Sequence, residues 1–123
     1  MKLGIWLKAK AIVEVVFGIG FVIVPKIIGS LFGMDLGPQG LLMSRLFGAA
    51  FIWGSVSLWQ FSSGPDGDHP PQLAVMGLVA TNLIGFLVTL IACFAGTWNA
   101  LGWIPVLLYL GFGFVFAWSI FKG

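Results

Sequence analysis

Apolar residues run along this chain in four long stretches, each closed by a short segment rich in glycine, proline or charge. A membrane-crossing α-helix needs about 20 consecutive, mostly apolar residues. Residues 5–24, 41–61, 73–95 and 103–121 meet that length. None of the four alternates apolar and polar positions with period two, and backbone groups in lipid must be bonded within their own segment. Helices are therefore the expected element. Pro25 should end or kink the first of them. The following PKIIGSLFGM (residues 25–34) is apolar but punctuated, which predicts a short interfacial helix or a kinked extension. Met34–Gly40 and the stretch SSGPDGDHPPQ read as turns. Pro105 falls in the first turn of the last helix, where its missing N–H costs little. The expected fold is an all-α membrane protein, with four transmembrane helices in one bundle forming a single domain over residues 1–123.

Composition narrows the solvent. Only 8% of residues are charged, against about 25% in a typical soluble domain, and mean hydropathy is +1.07. Such a chain cannot coat a water-facing surface, and lipid is the solvent that fits. The net charge of +2 comes from scattered basic residues that form no phosphate-tracking patch, so no nucleic-acid partner is expected. Lys2, Lys8 and Lys10 before an apolar run superficially match a secretory leader, but Glu14 interrupts the run and no A-x-A site follows. A retained helix is expected. Four crossings place Lys2, Lys8, Lys10 and Lys122 on one side, against Lys26 and Arg45 on the other. The positive-inside rule then predicts cytoplasmic termini. Trp6, Trp59 and Trp118 fall near one interface and Trp98 and Trp103 near the other, as aromatic belts do.

Helices in lipid associate through close packing of small residues. In the third span Gly77, Thr81, Gly85, Thr89, Cys93 and Thr97 recur every four residues. Shorter pairs are Ser44 with Gly48, Ala50 with Gly54, and Gly113 with Ala117. These seams serve packing inside the bundle, or contact with a second copy or a partner subunit.

Ionisable groups inside a membrane are costly and mark candidate sites. Glu14 lies in the first apolar run with Lys10 one turn before it, so a local ion pair with Lys10 reaching for the interface is one reading. The other is a carboxylate that faces the bundle and holds a proton, cation or lipid headgroup. Asn82 should lie at the depth of Glu14, with Ser55, Ser57 and Tyr109 on the same half of the bundle. Arg45 opens the second span, placed to meet lipid phosphate, Asp35 or a partner carboxylate. His69, beside Asp66 and Asp68, lacks the partners of a metal or haem site and reads as a solvated turn. Lone Cys93 is a small packing residue. No metal or cofactor is expected, and no nucleophile with its base is recognisable.

The segment RLFGAAFIWGSVSLW (Arg45–Trp59), with Pro25 and Phe32–Gly33 after the first helix, resembles small bacterial four-helix membrane proteins of unknown function, loosely the DoxX group. The likeness covers about the first half of the chain and implies a fold and a bacterial inner membrane, not an activity. AKAIVEVVFG (Ala9–Gly18) is similar to the first helix of small multidrug-resistance transporters. That likeness implies a proton-exchanging glutamate at Glu14, although the later helices do not match. The leading expectation is a non-enzymatic scaffold or accessory subunit that packs against itself, a larger complex and membrane lipids. The alternative is a small proton-coupled transporter or a lipid- or ligand-binding bundle that uses Glu14.

Overall fold

A computed structural model describes residues 2–65 and 67–122; Asp66 of the second turn lies outside the described residues. Among them the chain is helical: α1 (Leu3–Ile23), α2 (Pro25–Leu31), α3 (Pro38–Ser62), α4 (Gln72–Phe94), a single 3₁₀ turn (Ala100–Gly102) and α5 (Trp103–Lys122). The protein is an all-α integral membrane protein. α3, α4 and the turn joined to α5 are each long and apolar enough to cross a bilayer. α1 carries Lys8, Lys10 and Glu14, and it reaches the same standard together with α2 as one bent span.

The helix ends explain the breaks. α2 turns away from α1 by 114° because Pro25 has no N–H for the α1 ladder and its ring displaces the preceding turn. Proline also opens α3, where Pro38 takes the first helical position, so this helix starts three residues before the apolar run at Leu41. The start of α1 is capped from far away in the sequence. Asp68, in the loop after α3, accepts a hydrogen bond from the Gly4 amide at 2.9 Å, and its negative charge meets the positive end of the helix dipole. At the other end of α1, Arg45 Nε donates to the Val22 carbonyl at 3.3 Å, the complementary arrangement.

Two helix pairs make up the body, α1 with α3 and α4 with α5. The first pair crosses where Gly18 meets Gly48, so closely that a Cβ on Gly48 would stand 2.6 Å from the Gly18 carbonyl oxygen. The pairs join through α1 and α5, whereas α3 packs against neither α4 nor α5 along its length. The four long helices thus form an open arc in the order α3, α1, α5, α4. Large apolar side chains such as Val16, Leu87 and Phe114 face outward, as lipid permits.

The arc is closed at both ends and hollow between. Near the termini Leu3, Leu7, Val75 and Phe116 form a buried cluster drawn from three helices. At the far end the α2–α3 turn is tied to the α4–α5 loop. There the Asn99 amide donates to the Phe32 carbonyl at 2.9 Å, and Asn99 Nδ2 donates to Leu31 O at 2.9 Å. Gly33 takes a left-handed φ of 79° within this turn, with the Asn99 side chain against it; a side chain there would be strained.

Candidate functional site

One ion pair is present among the described residues, and it lies inside the protein. Lys10 Nζ stands 3.3 Å from Glu14 Oε1, the i,i+4 neighbour that helical spacing allows. The lysine does not reach for the interface: it is 5% exposed because α1 turns this face toward α4 and α5. Its ammonium also donates to Asn82 Oδ1 at 3.3 Å and lies 5.8 Å from the Tyr109 ring centre and 5.4 Å from that of Phe112. Aromatic faces attract a cation at such distances.

Asn82 is fully buried. Its Nδ2 donates to the Leu78 carbonyl one turn back at 2.7 Å, which turns the amide oxygen toward Lys10. Gly113 of α5 leaves room for it, since a Cβ there would come 3.3 Å from Asn82 Cβ. Glu14 is seated in a similar way. A Cβ at Gly54 of α3 would stand 2.9 Å from Glu14 Oε2, so glycine makes the space this carboxylate occupies. Oε2 is buried with no hydrogen-bond partner. Buried polar atoms are nearly always bonded, and this one is a free acceptor.

The pair forms part of the wall of a cavity of about 430 Å³ lined by all four long helices. Small-molecule sites commonly measure roughly 300–1,000 Å³ and combine an apolar wall with a few polar groups. The wall here is mainly apolar and rich in aromatic rings, with Phe17, Phe21, Phe47, Phe51 and Phe112 beside Tyr109. Phe32 and Trp98, ring centres 5.3 Å apart, close the far end. Trp98 turns inward, and its indole N–H donates to Met34 Sδ at 3.0 Å.

The other sequence candidates sit elsewhere. Arg45 is exposed at the end of α1, away from Glu14 and Asn82, and its hydrogen bond goes to Val22 and not to Asp35. The four-residue row on α4 divides. Gly85 and Thr89 face inward, Gly85 in contact with the Tyr109 ring and Thr89 on the cavity wall. Gly77 and Thr81 face outward, with open space over Gly77. The hydroxyls of Ser55 and Ser57 bond backbone carbonyls of their own helix, Ile52 O and Trp53 O, and neither bonds Glu14. Asp68, beside His69, holds the α1 cap instead of facing only solvent. No group of three His, Cys, Asp or Glu that could hold a metal gathers among the described residues.

Sequence reasoning reached Glu14, Asn82 and the hint of Tyr109, but not the aromatic wall. Phenylalanine is so common in this chain (12 residues) that its concentration on one concave face leaves no trace in spacing. Comparison with protein-family models, with curated proteins and with solved structures finds no match for this chain.

Proposed function

We propose that this protein binds a small, mostly apolar molecule within the bilayer, in the hollow between its two helix pairs, with Glu14 and Lys10 reading the ligand's polar end. One observation carries the reading: a buried ion pair, whose carboxylate keeps one oxygen without a partner, stands on the wall of an aromatic-rich cavity of about 430 Å³. A network that served only to hold helices in register needs no aromatic hollow beside it, and the dispersion contacts that the lining of such a hollow lacks must come from another molecule. The test is occupancy. Protein purified in lipid nanodiscs and released into native mass spectrometry should carry a bound small molecule. Val13→Phe, which fills the cavity wall, should remove that mass while leaving the fold intact. Identical spectra for the two proteins would sink the reading.

A second reading, a scaffold or accessory subunit, draws on a separate observation. Gly77 and Thr81 present a small-residue step on an outward face, and the Thr81 hydroxyl is already spent on the Gly77 carbonyl at 2.9 Å. Such a face suits close packing against another helix. Gly77→Leu should then shift the oligomer distribution toward monomer without touching ligand occupancy. We place the protein in a bacterial inner membrane with cytoplasmic termini. The bacterial setting rests on the resemblance of Arg45–Trp59. The orientation rests on Lys2, Lys8 and Lys122 against Lys26 and Arg45, since buried Lys10 no longer counts as a flanking charge.

A further inference from the structure

The Glu14 carboxylate already has its counter-charge. Lys10 Nζ is held 3.3 Å from Oε1 on one side and 3.3 Å from Asn82 Oδ1 on the other, so the polar end of the cavity is neutral as a unit. A cationic head brought to Glu14 meets the Lys10 ammonium, and an anionic head meets Glu14 itself. Like charges repel strongly where hydrocarbon and aromatic walls replace water. The unit lacks a donor and not a charge, because Glu14 Oε2 is an acceptor without a partner. Glu14 lines the cavity, and a carboxylate can accept about four hydrogen bonds, so a hydroxyl can reach it from the cavity without taking Oε1 from Lys10. A hydroxyl group would satisfy it and add no charge.

The cavity opens sideways. Phe47 of α3 and Val88 of α4 both line it, yet are 45% and 60% exposed. They stand on the two helices that end the arc and do not pack against each other. Both helices cross the bilayer, so this opening faces lipid. The ends toward water are shut by the Leu7–Phe116 cluster and by Phe32 with Trp98. Along α1 the lining runs from Lys10 to Phe21, about 16 Å at a helical rise of roughly 1.5 Å per residue. That is a length for an extended chain, not for a compact ring.

Building on the binding reading above, we propose that the ligand is an uncharged, hydroxyl-bearing, single-chain lipophile. It slides in from the bilayer between α3 and α4, sets its hydroxyl on Glu14, and lays its chain toward Trp98. The test uses the full chain in phosphatidylcholine nanodiscs, with Trp98 as the sole tryptophan after Phe replaces the other five. The probe is a long-chain alcohol with a terminal bromine, which quenches indole on contact. It is compared at equal loading with the trimethylammonium and carboxylate probes of the same chain. Saturable quenching by the alcohol is expected, with both charged probes at least about tenfold weaker. The double variant Lys10→Met/Glu14→Leu should remove the saturable component, and Val88→Phe, which narrows the opening, should slow its onset. Equal or stronger quenching by a charged probe overturns the uncharged head while leaving the binding reading in place. An unchanged onset in Val88→Phe overturns the lateral route. If no probe distinguishes the parent from Val13→Phe, the binding reading itself falls. Should the single-tryptophan protein not fold, the same three probes are ranked on the unmodified chain by retention in native mass spectrometry, with the same criteria.

Discussion

A lysine buried in a membrane helix is held there by what surrounds its ammonium, and the four groups around Lys10 are unequal. Hydrogen bonds between membrane helices average about 0.6 kcal/mol and reach about 1.7 kcal/mol, so Asn82→Ala should lower stability by no more than that range. Removing one member of a buried ion pair leaves the other charge unpaired and costs about 3–5 kcal/mol, whereas replacing both by apolar groups is often neutral. Lys10→Met alone should therefore lower the melting temperature sharply in nanodiscs, and so should Glu14→Leu alone. The double variant Lys10→Met/Glu14→Leu should melt near the parent. Its ligand occupancy separates a binding site from a structural clamp. A stable double variant that still carries the bound mass would show that Lys10 and Glu14 only hold helices together. We expect it to be stable and empty.

At the scale of elements, glycines sort by what stands over them. Gly48 faces the Gly18 backbone at a distance no Cβ tolerates, while Gly77 faces open space. Backbone cannot move aside as a flexible side chain can, so Gly48→Ala should force α1 and α3 apart and lower the melting temperature by several degrees. Gly77→Ala should be near neutral or slightly stabilising, since alanine outranks glycine in a helix by about 1 kcal/mol. Thermal unfolding of the two variants side by side tests this. The same contrast marks how far the sequence could be read. The spans were legible because hydropathy and length are local properties, and the break at Pro25 was legible because proline's chemistry is local. The Lys10–Glu14 pair was legible from i,i+4 spacing. The direction of the pair was not, because it depends on Asn82, Tyr109 and Phe112, of which even Asn82 is 72 residues from Lys10 in the chain. The Asp68 cap on α1 and the inward turn of Trp98 are likewise set by tertiary contacts. The row on α4 shows the limit well: its equally spaced small residues are one motif in sequence, but the slant of an i+4 row sends Gly85 and Thr89 inward and Gly77 and Thr81 outward.

For the whole molecule, the hollow exists because the helix pairs touch at their ends and not along α3 and α4. The near end is held by apolar packing of Leu3, Leu7, Val75 and Phe116, which has no single point of failure. The far end hangs on few bonds, and Asn99 makes several of them. Its amide serves Phe32 O, its Nδ2 serves Leu31 O, and its Oδ1 accepts from the Leu101 amide to shape the 3₁₀ turn. Asn99→Asp keeps the acceptor for Leu101 but loses the donor to Leu31, so it should loosen the tie between the pairs while leaving the turn. Asn99→Ala should lose both. Local opening shows as amide hydrogen exchange, and residues 32–34, whose turn is tied to Asn99, should exchange faster in both variants than in the parent. The Leu101 amide should exchange faster in Asn99→Ala alone. The near-end helices, held by apolar packing, should keep their protection in both. Faster exchange spread evenly over α1 and α5 would mean that the ends are not independent, and that the arc opens as one body instead of hinging at its far end.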